Sequence, residues 1–314
     1  MNNFCTLFDS NFLLYGLALH ESLQKYCKKF HLYIFAFDDE CYNTLTKLHL
    51  ADVTVISLAE FEDQQLLAIK PSRTRGEYCW TCSSSTILYC LKKFNLPVCT
   101  YLDADLYFYS DPSILIDEIK NNDVLITEHR YTKKYDLSAT SGIYCVQFMT
   151  FKSTENGLKI LNWWRDACLE WCYNRFEDGK FGDQKYLDDW THRFSGVHVL
   201  EHLGGGVAPW NLQQYQLLSG HKMLETKTGK YFNLIFFHFH DIKITNSTID
   251  HTKLLTYDKE YDFFKKIYVP YIDAINNLID NFNLDRVHIK TSYIKIFLLR
   301  IRKQVARIKH GILN

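Results

Sequence analysis

The sequence predicts an α/β protein, a mostly parallel sheet flanked by helices with a helical extension at its C-terminal end. Three observations carry that expectation. Apolar, β-prone runs alternate with helically spaced segments through the first hundred residues, the pattern of strands joined by crossover helices. An apolar strand at residues 98–102 runs straight into Asp103-Ala104-Asp105, and open α/β sheets bind ligands at the carboxyl ends of their strands. Finally, 314 residues that are 47% apolar and 16% aromatic can bury one large core, which excludes disorder, collagen and coiled coil.

Taken in order, residues 4–8 form a first strand that closes at Asp9-Ser10-Asn11, and residues 13–26 carry helical spacing through Leu17, Leu19 and Leu23. Residues 31–37 are a second strand ending at Asp38-Asp39-Glu40, residues 41–48 a second helix and residues 53–56 a third strand. A helix over 83–92 precedes the strand at 98–102. Strands at 124–127 and 143–148 flank a loop at 128–140, and a helix from Gly157 to about Tyr173 comes next. A polar glycine loop at 177–182, the run Gly204-Gly205-Gly206 and a last strand at 234–238 complete the body. These elements predict a sheet domain over 1–245, a helical extension over 246–285 and a tail over 286–314, with no internal repeat.

With 36 basic and 36 acidic residues the formal net charge is zero, which gives no electrostatic reason to expect a nucleic-acid partner. The balance is uneven along the chain. From Arg286 onward there are eight Lys or Arg and no acid, leaving 28 bases and 36 acids before it. The amino terminus lacks a basic n-region, and no window reaches the roughly 20 apolar residues that span a bilayer. The ten cysteines are therefore expected to be reduced thiols in a cytoplasmic protein. Cys79 with Cys82, and Cys168 with Cys172, read as buried thiols rather than a zinc knuckle.

Among candidate chemical groups, Asp103 and Asp105 stand two apart at a strand end, so the period of two sends both carboxylates the same way. Converging acids call for a cation, and hard oxygens suit Mn²⁺ or Mg²⁺. His238 and His240 alternate as the last strand ends, and an imidazole is a common further ligand for Mn²⁺. Asp183 comes after a glycine loop and opens a predicted helix, where an N-cap role alone would explain it. Arg73, Arg75, Lys243 and the three glycines are candidates for holding a phosphate.

The order of these pieces resembles the GT-A glycosyltransferases that use nucleotide sugars, closest in layout to the glycogenin and bacterial lipopolysaccharide galactosyltransferase family. The resemblance covers residues 1 to about 245, and Asp103-Ala104-Asp105 with its strand is its most specific part. It implies a metal bound by Asp103, Asp105 and one of His238 or His240, with Asp103 also on the ribose. It implies a nucleotide site at Thr6, Leu7, Phe8 and Asp9 beside Asp103 and Ala104, to which the charges of Arg75 and Lys243 are added as candidate phosphate contacts. Asp183 and Gln184 would face the sugar and acceptor. The sequence departs from the family where Cys145-Val146-Gln147-Phe148 replaces its Asn-x-Gly strand, and where Lys243 lies close behind His240 with Pro209-Trp210 upstream.

On this resemblance the expected reaction moves a hexose or N-acetylhexosamine from a UDP-sugar to a glycan or lipid-linked acceptor in surface polysaccharide assembly, with retention. An inverting enzyme would need a carboxylate base, for which Asp183 is placed first and Asp188 and Asp189 after it. Ile294, Leu298, Ile301, Val305, Ile308 and Ile312 trace one face of a basic amphipathic helix, the pattern of a peripheral contact with anionic membrane. Two rival classes share the acids: a metal-dependent phosphohydrolase or nucleotidyltransferase, and a sugar-nucleotide-binding protein without turnover.

Overall fold

A computed structural model describes residues 1–245 and 248–284, and it divides into two compact units, Met1–His238 and Phe239–Asn314. The predicted tail helix lies outside the described residues. In the first unit the chain runs β1 (Asn2–Phe8), α1 (Leu13–Tyr26), β2 (Phe30–Ala36), α2 (Asp39–Leu48), β3 (Val53–Ser57), α3 (Arg75–Lys93), β4 (Val98–Leu102), β5 (Leu106–Phe108), β6 (Val124–Glu128), β7 (Tyr144–Lys152), α4 (Glu155–Glu170) and β8 (Val197–Val199). Three short strands come after these, β9 (Tyr215–Leu217), β10 (Lys222–Glu225) and β11 (Tyr231–Asn233), and then β12 (Phe236–His238).

Seven strands form the main sheet in the order β3-β2-β1-β4-β7-β6-β8. Neighbours pair in parallel except along β7, which runs against both β4 and β6. The strand order reverses between β1 and β4, so the loops leaving these two parallel neighbours open side by side at their carboxyl ends. That is where Asp9 and Asp103 emerge. Beside the sheet, β5 and β12 pair as a separate antiparallel ladder with Leu106 opposite His238.

Local chemistry sets the helix starts. Asp38 caps α2 by accepting from the Cys41 N–H at 2.8 Å, and Thr154 caps α4 through the Gly157 N–H at 3.0 Å, each cap worth about 1 kcal/mol. A capping box between Thr74 and Glu77 starts α3 at Arg75, earlier than the spacing at 83–92 predicts. In contrast, α4 ends at Glu170 instead of about 173, because Trp171 turns extended and buries its ring outside the helix. One face of the sheet packs against α3 and α4. There Phe151 stacks on Trp164 at 6.2 Å, and Trp190 stands edge-on to both.

In the second unit, α5 (Val269–Asn281) brings Tyr271 face to face with Phe239, ring centroids 3.7 Å apart. Asp241 is buried against Lys259, with Nζ to Oδ2 at 2.6 Å, and accepts from the Tyr268 hydroxyl at 2.9 Å. None of the ten cysteines is in a disulfide. Among the described residues no helix is long and apolar enough to cross a membrane.

Candidate functional site

The Asp103 N–H donates to the Gln147 carbonyl at 3.0 Å, which extends the β4–β7 ladder one step beyond Leu102 and Phe148. A tight turn comes next, with the Leu106 N–H returning to the Asp103 carbonyl at 3.3 Å, and the chain enters β5. Because β5 pairs with β12, that turn stands next to the end of β12. His238 Nε2 accordingly lies 3.1 Å from Asp105 Oδ1 and 3.9 Å from Asp103 Oδ2. Its other ring nitrogen is 2.7 Å from Gln147 Oε1, whose lone pair takes the Nδ1 proton and holds the ring with Nε2 towards the acids. The cluster grades from closed to open, with side-chain exposures of 6% for His238, 16% for Asp105 and 29% for Asp103.

Electrostatics derives from that placement. Burial pushes the Asp103 carboxyl up to about 6; the charge of His238 opposes the shift, and Asp105 adds to it. Burial disfavours charge on His238, yet the neighbouring Asp105 carboxylate outweighs it and holds the imidazolium well above its ordinary range. Asp103 and Asp105 each approach the His238 imidazole, and carboxylates beside an imidazole are the kind of donors a divalent cation takes. An ion placed there would compete with the His238 proton.

Asp183 approaches the same region from another direction. Gly182 takes φ +52°, a left-handed backbone that favours glycine, with the Trp80 ring over it. The Trp164 indole N–H donates to the Asp183 carbonyl at 2.9 Å and anchors the turn to the aromatic core. The Asp183 side chain is buried rather than capping a helix, and the chain continues into a 3₁₀ turn at Lys185–Asp189. Its carboxyl is pushed up to about 7, first by burial; a hydrogen bond from Ser83 of α3 pulls it back, and the charge of Asp103 adds to the rise. Tyr101 links the two acids, since its hydroxyl touches both Asp103 and Ser83. Gln184 donates through Nε2 to the Ser141 carbonyl at 2.6 Å, which ties this turn to the loop before β7.

At the mouth of β1, Asp9 accepts from the Asn11 N–H at 2.8 Å and pairs with Arg75 Nε at 2.5 Å. Arg75 also reaches Asp38 at the end of β2, so one guanidinium ties two strand ends together.

The structure thus brings together Asp103, Asp105, His238 and Asp183, with Asp9 and Arg75 on the adjoining strand ends. Several expectations need correction. The strand stops at His238 and the chain turns over residues 239–242, so the alternation that would place His240 beside its twin does not extend that far. His240 and Lys243 are exposed residues of the second unit. Leu7 belongs to the core under α3, and the Phe8 ring lies against Gly16 of α1, which leaves only their backbone for a ligand. Thr6 and Ala104 are buried.

Arg73 stacks on Tyr173 at 3.9 Å and donates to the Leu169 carbonyl, a packing role. The amides of Gly204 and Gly205 are taken by His202, and a Cβ on Gly204 would stand 1.9 Å from the Asn233 carbonyl oxygen, so these glycines serve backbone contact. Asp188 accepts from the Ile143 N–H and pairs with Lys185, while Asp189 pairs with Arg193. Sequence reasoning missed Ser83, Tyr101 and Gln147 as supports of the acids. It also missed Cys145 as a neighbour of His238.

No protein-family model matches the chain. The bifunctional glycosyltransferase WbbM superposes with a TM-score of 0.52 at 13% identity, over 88% of this chain and 50% of WbbM, and the fold is of the GT-A glycosyltransferase type. Two proteins of Bacillus subtilis strain 168, both described as uncharacterized, are similar in sequence. YfnD is 28% identical over 288 residues, covering 88% of this chain and 90% of YfnD. YfnF is 30% identical over 253 residues, covering 77% of this chain and 82% of YfnF. At that identity and coverage, the chain belongs to the family of YfnF.

Proposed function

We propose that the protein is a metal-dependent glycosyltransferase that moves a hexose or N-acetylhexosamine from a UDP-sugar to a glycan or lipid-linked acceptor in surface polysaccharide assembly, with retention. One observation carries the reading: Asp103, Asp105 and His238 converge at the carboxyl end of β4, at the reversal of strand order. The shared fold with WbbM supports it.

When bound, a divalent ion such as Mn²⁺ supplies charge against a diphosphate leaving group. The protein's own part is positional. Asp103 and Asp105 offer oxygen donors at the open end of the cluster, and Gln147 fixes the His238 ring so that Nε2 faces them. Asp9 and Arg75 present a carboxylate and a guanidinium at the mouth of β1, suited to a base and ribose. Asp183, with its carboxyl pushed up to about 7, and the Gln184 amide offer polar groups to the sugar. The basic residues after Arg286 suit contact with an anionic membrane face.

The test is thermal stabilisation and slow nucleoside diphosphate release, with Mn²⁺ and a panel of nucleotide sugars, for the protein and for Asp105→Ala. The expected result is stabilisation by one nucleotide family, with metal-dependent release abolished in the variant. Failure of every donor to bind under any metal would overturn the transferase.

A further inference from the structure

The transfer reaction asks only for hard ligands around its cation, and the two carboxylates provide them. Cys145 is a donor of another kind. It precedes Gln147 by two on β7, so the strand's period turns both side chains to the face that meets His238. The Cys145 thiol, an Asp103 oxygen and a His238 nitrogen all lie within 4.8 Å of one another. Across a tetrahedral zinc with bonds of about 2.3 Å to sulfur and about 2.1 Å to nitrogen, ligand atoms stand about 3.6 Å apart, and the Asp103–His238 pair is already at 3.9 Å.

Gln147 borders the same cluster. It is fully buried, its Oε1 bonds His238, and its Nε2 has no hydrogen-bond partner. An unpartnered N–H donor in a core calls for an acceptor such as an anionic ligand, not for the cation itself.

Building on the transferase reading of the same site, we propose that Cys145 gives a thiolate to the divalent ion held by Asp103, Asp105 and His238. The thiol proton leaves to solvent as the metal–sulfur bond forms. The resulting mixed sulfur, nitrogen and oxygen set favours borderline ions such as Zn²⁺ or Co²⁺ over Mg²⁺.

Titrating Co²⁺ alone into the full-length protein reads this directly. The expected spectrum shows visible d–d absorption and a near-ultraviolet sulfur-to-cobalt charge-transfer band, both saturating at one equivalent. In Cys145→Ser the d–d bands stay, the charge-transfer band disappears, and Zn²⁺ affinity falls by roughly tenfold or more. Cys145→Ala repeats the measurement should a buried hydroxyl unfold the protein. Cobalt bands without charge transfer in the parent protein would overturn the thiolate and leave the transferase standing. So would a charge-transfer band that survives in Cys145→Ser, since it would then arise from the separate buried thiols of Cys5, Cys90 and Cys99, which also gather within 4.8 Å. Absence of any cobalt binding, together with absence of metal-dependent nucleotide release, would overturn both.

Discussion

Asp183→Asn should remove much of the loss of stability that the protein suffers as pH rises from mildly acidic to mildly basic. The carboxyl stands at about 7 in the fold against an ordinary 3.8, a rise caused first by burial. Below the unfolded value both states are protonated and the contribution is fully present. As pH rises the unfolded chain ionises first, and stability drains until the folded carboxyl ionises near 7. At about 1.4 kcal/mol per unit the whole loss is on the order of 4 kcal/mol, of which about 2.5 kcal/mol falls between about pH 5 and pH 8. Urea unfolding at the two pH values, with a chelator present so that no ion competes for the acids, gives the two slopes. The variant should lose about 2.5 kcal/mol less than the parent across the interval. Parallel losses would refute the argument, because they would mean that Asp183 ionises in the folded protein as it does in the unfolded chain.

Two further substitutions test the packing arguments. Gly204→Ala should destabilise the protein by about 1–3 kcal/mol in chemical denaturation, because its methyl would meet the Asn233 carbonyl oxygen; an unchanged midpoint would contradict that contact. Asp241→Asn should cost about 3–5 kcal/mol by leaving the buried Lys259 charge without its carboxylate. Hydrogen exchange along α5 should then rise, and Lys259→Met added to the same chain should recover part of the loss.

The order of strands and helices was legible because it depends on local signals. The runs at β1, β2 and β4 are apolar and end at acids, and the helices between the strands carry their own spacing and caps. Asp103 and Asp105 were legible for the same reason, since a strand's period is enough to send two side chains one way. Their partners were not. Gln147 and Cys145 reach the acids only because β7 inserts antiparallel beside β4, a pairing that no window of sequence contains. Ser83 looks like any small residue on a helix until the buried Asp183 is set against it. The glycine run misled in the opposite sense: it suggested bare amides for a phosphate, when what it needed was room for the backbone of residue 233.

The three-residue ladder between β5 and β12 carries one more consequence, for the making of the protein. The acids leave the ribosome roughly 130 residues ahead of the histidine that faces them, an interval on the order of 10 seconds at ordinary elongation rates. Throughout that time two like charges wait at the end of a finished strand with no cation supplied by the chain. A nascent protein interrupted before residue 236 already holds the means to form β1 to β4, yet it cannot assemble the cluster. Competence at this centre is therefore tied to synthesis through His238.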